Sequence, residues 1–146
     1  ILPSISIPNS VTSIGNSAFQ NCSVLQSITI PDLVLAIGVS TFKDCSGMTS
    51  VTIGTSVTSI GNTAFQNCFA LPNIYIPNSV LSIGDTDVFN GCSVLTSATI
   101  DCQIIQNITQ AFQQLPYIII GTSVSVKSKP TALHRLSHTC LLYTSP

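Results

Sequence analysis

The chain has 146 residues, enough for one ordinary domain, and 45% of them are hydrophobic whereas only 6% are charged. This composition excludes a disordered chain, because disordered chains are typically charged and poor in β-branched residues. The net charge is −1, and Lys43 is the only base in residues 1–126, so no basic stripe is available for nucleic acid to lie along.

The N-terminal stretch "ILPSISIPNS" contains no charged segment and no long apolar run. It therefore predicts neither a signal peptide nor a transmembrane helix, and we expect no membrane insertion. The chain lacks an initiator Met, and we interpret it as a fragment of a longer protein.

A repeat of about 23 residues runs through most of the chain. The phrase "SIGN-Ser/Thr-AFQNC" occurs twice, and its Phe recurs at nearly equal steps, at Phe19, Phe42, Phe65, Phe89 and Phe112. A Cys follows three residues later in four of these units, at Cys22, Cys45, Cys68 and Cys92. A fixed period of this length is typical of stacked units, none of which can bury its apolar face alone.

Each unit divides into three predicted parts. The first part, as in "LQSITI" from Leu25 to Ile30, alternates apolar and polar residues and predicts a short strand that a following Pro or Gly ends. The second part, "SVTSIG", predicts a short extended run. In the third part, "NSAFQNC", Ala, Phe and Cys are spaced to share one face of a short helix, which Asn16, Asn62 and Asp85 would cap.

These motifs resemble the BspA-like leucine-rich repeat over roughly residues 1–126. The resemblance rests on the pattern Ile-Pro-x-x-Val-x-x-Ile-Gly-x-x-Ala-Phe-x-x-Cys-x-x-Leu-x-x-Ile. It implies a curved right-handed solenoid of the α/β repeat class, with a parallel β-sheet on one side and short helical turns or extended segments on the other. It also implies a cell-surface or secreted location and adhesion to proteins. The unit that begins at Ile100 departs from the pattern because it is shortened.

The period is lost after Val126. We therefore divide the chain into a solenoid of about five coils over residues 1–126 and a non-repeat tail over residues 127–146, "KSKPTALHRLSHTCLLYTSP". The tail has neither the Phe nor the Ile-x-Ile of the repeat. It is either a C-terminal cap or non-native read-through, and we favour read-through.

The sequence predicts no catalytic, cofactor or metal site. The repeat Cys are a whole unit apart, which does not fit zinc spacing, and we expect them to be reduced, buried and apolar. The only His residues, His134 and His138, lie in the tail. We expect no enzyme and no cofactor. The roles of Cys102 and Cys140 stay open, as does glycosylation at Asn21 and Asn107.

The outward positions of the predicted strands form two rows that are mostly hydroxyls. The rows read Ser4, Ser27, Ser50, Asn73, Ser97, Tyr117 and Ser6, Thr29, Thr52, Tyr75, Thr99, Ile119. Tyr is enriched at binding sites because it offers a large rigid area with a polar tip. We therefore predict that Asn73, Tyr75, Tyr117 and Ile119 bind a ligand, although solitary β-formers on an exposed sheet are the simpler interpretation.

The resemblance implies a cell-surface module, and the outward rows favour binding of a protein or glycan on its sheet face. One alternative is a purely structural spacer within a longer surface protein. Another is binding to ice or crystal surfaces through the Thr row, which Tyr75 interrupts. The sequence does not name the ligand or the oligomeric state.

Overall fold

The computed structural model describes residues 4–84 and 87–100, together with the strands at 117–120 and 124–127. The described residues form a parallel β-solenoid of about four turns. Its strands are β1 Ser4–Ser6, β2 Ser27–Thr29, β3 Ala36–Ile37, β4 Ser50–Thr52, β5 Ser59–Ile60, β6 Asn73–Ile76, β7 Ser82–Ile83, β8 Ser97–Ile100, β9 Tyr117–Ile120 and β10 Val124–Lys127.

One side of the solenoid is built from the predicted Ile-x-Ile strands. The order β1-β2-β4 forms one parallel sheet, and β6, β8 and β9 form the parallel part of a second. Each strand pairs with its equivalent in the next coil, for example Ile5 with Ile28 and Ile28 with Val51. The repeat period therefore sets the register of the sheet.

A third sheet, β3-β5-β7, lies along another side of the coils. It is also parallel and pairs Ile37 with Ile60 and Ile60 with Ile83, while an isolated bridge joins Ile14 to Ile37. The extended run predicted for the second part of the repeat is thus confirmed.

The third part of the repeat is not helical. The described residues contain no helix, and Ser17 and Asn21 have φ angles of 57° and 63°, which place them in the left-handed region. Their N–H groups point along the stack: Ser17 donates to the carbonyl of Val39 at 3.0 Å and Asn21 to that of Lys43 at 2.8 Å. A helix would direct these groups along its own axis. The segment instead forms tight turns that bond to the next coil, so the helical prediction is wrong here.

The predicted helix caps fail for the same reason. The side-chain oxygen of Asn16 accepts a hydrogen bond from the backbone N–H of Val39, 2.9 Å away in the next coil. It therefore links two coils where a helix N-cap would serve its own turn. Asp85 lies outside the described residues.

The core is a set of apolar rows that run through the stack. The rings of Phe19, Phe42, Phe65 and Phe89 stack with centroids 5.4, 5.4 and 5.5 Å apart. Inward Ile, Val and Leu residues of all sheets pack around them. The last three Phe rings are 0% exposed, which confirms that the repeating Phe fills the interior of each coil.

At the C-terminal side, β10 pairs with β9 in the antiparallel direction, with Val126 opposite Ile118. This reversal interrupts the parallel stacking that joins all earlier coils. The predicted boundary between residues 1–126 and 127–146 falls inside β10, and most of the predicted tail lies outside the described residues.

Candidate binding site

The outer face of the strands carries the two rows of the predicted site. Asn73 pairs with Ser97 and Ser97 with Tyr117, while Tyr75 pairs with Thr99 and Thr99 with Ile119. The register therefore places the four predicted residues on two neighbouring rows, with β8 between β6 and β9. Ile74 and Ile76 point into the core, so Asn73 and Tyr75 face outward, and Tyr75 is 49% exposed. For Tyr117 and Ile119 the structure gives the backbone register alone.

The residues around Tyr75 depart from the repeat more than any other described strand segment. Where neighbouring coils have Ser23, Ser46 and Ser93, this coil has Phe69, which is 47% exposed. It also has Pro72 in place of Gln or Thr, and both outward strand positions differ from the usual Ser and Thr. Phe69 and Pro72 were not predicted as site residues. A comparison of equivalent positions outside the strand would have found them.

Pro72 coincides with the boundary between the two outer sheets. β4 lies beside β6, but the two strands belong to separate sheets. The N–H of Thr49 donates to the preceding coil at 2.8 Å, and that of Thr96 does so at 3.1 Å. Pro72 occupies the equivalent position and has no N–H to donate. This coil therefore lacks one of the bonds between coils at the place where the two sheets meet.

The outward positions of β1, β2, β4, β6 and β8 carry no charge at neutral pH. The register of β10 pairs Lys127 with Tyr117, so a basic residue joins the same row at the far edge of the sheet. The nearest acid in sequence to β2 is Asp32, in the exposed loop that follows it. Hydrogen bonds from the backbone N–H of Thr55 at 2.8 Å and from its hydroxyl at 3.1 Å lower the pKa of Asp32. Its charge is thus used to join two loops.

The four described cysteines are free thiols, as predicted, and three are buried. Each buried thiol donates to the carbonyl of a Phe in the preceding coil, such as Cys45 to Phe19 at 3.0 Å and Cys68 to Phe42 at 3.3 Å. Burial raises the pKa of Cys45 to about 12. Contact with the Cys92 thiol and burial raise the pKa of Cys68, and the same contact lowers that of Cys92. These thiols are core groups with poor access to reagents.

The structure does not support the other candidate sites that it describes. Within the described ranges, no group of three or more His, Cys, Asp or Glu is placed to hold a metal ion. Asn21 is exposed in its turn. The remaining candidates, His134, His138, Cys102, Cys140 and Asn107, lie outside the described residues. No helix in the part of the chain that the structure describes is long and apolar enough to cross a membrane.

A model of the BspA type leucine rich repeat region matches residues 1–119 in six copies. The chain belongs to this family. No curated protein matches it closely. Solved structures of leucine-rich repeat proteins share its fold, and the chain spans about a third of the length of the first ones.

Three solved structures illustrate the likeness. A leucine rich cell surface protein from Faecalibacterium prausnitzii is 29% identical with a TM-score of 0.73, over 83% of this chain and 32% of that one. A leucine-rich repeat protein from Bacteroides ovatus is 29% identical with a TM-score of 0.60, over 81% and 37%. The pneumococcal vaccine antigen PcpA, at 21% identity, a TM-score of 0.68, and 84% and 31% coverage, shows the fold alone.

Proposed function

We propose that this BspA-type chain is a cell-surface module that binds a protein or glycan ligand on its sheet face. The supporting observation is that Tyr75 is half-exposed on the outward face of β6. The neighbouring strands β4 and β8 carry only Ser and Thr at their outward positions. The Faecalibacterium protein, a cell surface protein at 29% identity, supports the location. Binding fits a face whose described outward positions offer hydroxyl, amide and aromatic groups.

The proposed site extends from β6 to β9. Asn73 and Tyr75 flank the low strip of Ser97 and Thr99 on one side, and Tyr117 and Ile119 occupy the equivalent rows on the other. Two strand steps of about 4.8 Å separate the flanking strands β6 and β9 by about 10 Å, which suits an extended peptide or a sugar.

The test is a binding screen of the full chain against purified extracellular proteins and glycans, repeated with Tyr75→Ser combined with Tyr117→Ser. The proposal expects the double variant to lose affinity for the retained probe. It is wrong if the double variant binds normally while Asp32→Asn or Asp44→Asn weakens binding. If the repeat is instead a purely structural spacer, none of the proteins and glycans in the screen should bind to the chain.

A further inference from the structure

We infer that the ligand of this site is an uncharged oligosaccharide, which stacks on the ring of Tyr75 and forms hydrogen bonds with Asn73 and with hydroxyls of β4 and β8. This inference rests on the proposed sheet-face function and names its ligand class. Three observations carry it. The fold does not require the departures in this coil, the outward positions of the strands around Tyr75 are uncharged, and β6 has a strand on each side, β4 and β8.

The fold does not require the aromatic residues of this coil. Equivalent positions to Phe69 and Tyr75 hold Ser and Thr in the neighbouring coils, which keep the same strand register and the same buried rows. Both aromatic side chains are nevertheless about half exposed, at 47% and 49%. Other coils also expose large apolar side chains, such as Leu33 and Leu35, but these lie outside the strands, whereas Tyr75 lies on the outward face of β6. The aromatic ring at that position, more than apolar exposure itself, indicates contact with a ligand.

The chemical groups around Tyr75 match those of a sugar. A pyranose offers an apolar face of C–H groups and a rim of hydroxyls that both donate and accept hydrogen bonds. The ring of Tyr75 supplies a flat apolar surface, Asn73 supplies a donor and an acceptor in one plane, and Thr52 and Thr99 supply hydroxyls on the adjacent strands. The strand spacing of about 4.8 Å is comparable with the length of one pyranose residue.

Charge and geometry disfavour other ligands. The outward positions of β4, β6 and β8, which surround Tyr75, carry no charge to complement a phosphate, a sulfate, a sialic acid or a charged peptide. Lys127 is in register with this row only on β10, two strands beyond β8. An extended peptide usually adds to a sheet through a free strand edge. β6 pairs with β8 on one side and lies beside β4 on the other, so it presents side chains and not a free edge.

The experiment compares variants that restore the residue of the neighbouring coils. Tyr75→Thr and Asn73→Ser remove the proposed contacts, while Leu35→Thr is the matched control. Leu35 is 60% exposed in a row with Thr12 and Thr58, away from the outer sheet. The probes are linear tri- to hexasaccharides of glucose, mannose, galactose or N-acetylglucosamine, with sialyllactose and heparin fragments as charged comparisons. Binding to the full chain is followed by NMR titration.

We expect at least one neutral series to bind at millimolar affinity, with little dependence on salt. Tyr75→Thr should weaken it about tenfold, the loss expected for one aromatic stacking contact, and Leu35→Thr should leave it unchanged. Stronger binding of the charged probes would overturn the inference. The inference is also overturned if no neutral oligosaccharide binds while a protein probe binds and loses affinity in Tyr75→Thr. That result would leave the proposed function intact. Neutral binding that both sheet-face variants leave unaltered would overturn the inference and the proposed site together.

Discussion

The stack of Phe rings makes Phe65→Ala the sharpest test of the core. Phe65 is 0% exposed, and its ring lies 5.4 Å from that of Phe42 and 5.5 Å from that of Phe89. Removing a buried Phe costs about 3–5 kcal/mol, and each aromatic pair lost adds about 0.5–1.5 kcal/mol beyond burial. Because Phe65 has a ring on both faces, we expect a loss near the upper end, about 4–5 kcal/mol.

Two other Phe residues serve as internal references. Phe19 is partly buried and stacks on Phe42 on one side, so Phe19→Ala should cost less than Phe65→Ala. Phe69→Ser replaces a half-exposed ring with the residue of the neighbouring coils, and the free energy of unfolding should change by no more than about 0.5 kcal/mol.

Urea unfolding monitored by far-UV circular dichroism measures all three. With a denaturant slope of about 1.5 kcal/mol/M, a loss of 4–5 kcal/mol lowers the midpoint by about 3 M. The predicted order of destabilisation is Phe65→Ala, then Phe19→Ala, then Phe69→Ser. A midpoint for Phe65→Ala within about 0.3 M of the unmodified chain would refute the stacked core.

Three further predictions concern side chains elsewhere in the stack. At neutral pH the buried thiols of Cys45 and Cys68 should react slowly with a thiol reagent until the chain unfolds, and a disulfide between them in mass spectrometry would contradict this. Asp32 should titrate below 3.8 by NMR, so its loop contact stabilises the fold above the unfolded pKa and weakens as pH falls through the folded one; an unshifted titration would contradict this. Gly91→Ala should destabilise the fold by more than about 1 kcal/mol, because Gly91 has a φ of 79° and an added Cβ would meet the Asn67 side chain. Gly15→Ala is the control, since a Cβ at Gly15 would enter open space, and equal melting temperatures of the two variants would contradict the prediction.

The sequence predicted the sheet well because its signal is periodic. Alternation within "NIYI" fixes Ile74 and Ile76 inward, and the spacing of the units fixes which outward residues become neighbours. The Phe row follows from the same argument. The alternation and the Phe spacing recur in each coil, so one sequence contains several independent copies of the pattern that predicts the strand and the core.

The shape of the turn could not be obtained from the spacing of Ala, Phe and Cys. Any tight turn that returns to the core within three residues satisfies that spacing, and a helix is only one such turn. The informative signal was Asn21 and its equivalents Asp44, Asn67 and Gly91, which all have positive φ. Asn, Asp and Gly are the residues that most readily adopt this conformation. Their recurrence at one position indicated left-handed turns.

The candidate site was predicted in part for a similar reason. Outward positions on strands could be compared across units, which identified Asn73 and Tyr75. Phe69 precedes the strand, and the effect of Pro72 depends on a hydrogen bond between coils, which the alternation of a single strand does not reveal.

The direction of the main-chain hydrogen bonds also determines how the stack responds to tension. In both kinds of sheet and in the turns, bonds such as Phe19 N–H to the carbonyl of Thr41 connect one coil to the next. A pull along the stack therefore separates these bonds lengthwise, one coil at a time. Each coil occupies about 4.8 Å of the stack, but its 23 residues extend to about 80 Å when released. A protein built from such coils is therefore expected to lengthen in steps of about 75 Å when its two ends are pulled apart.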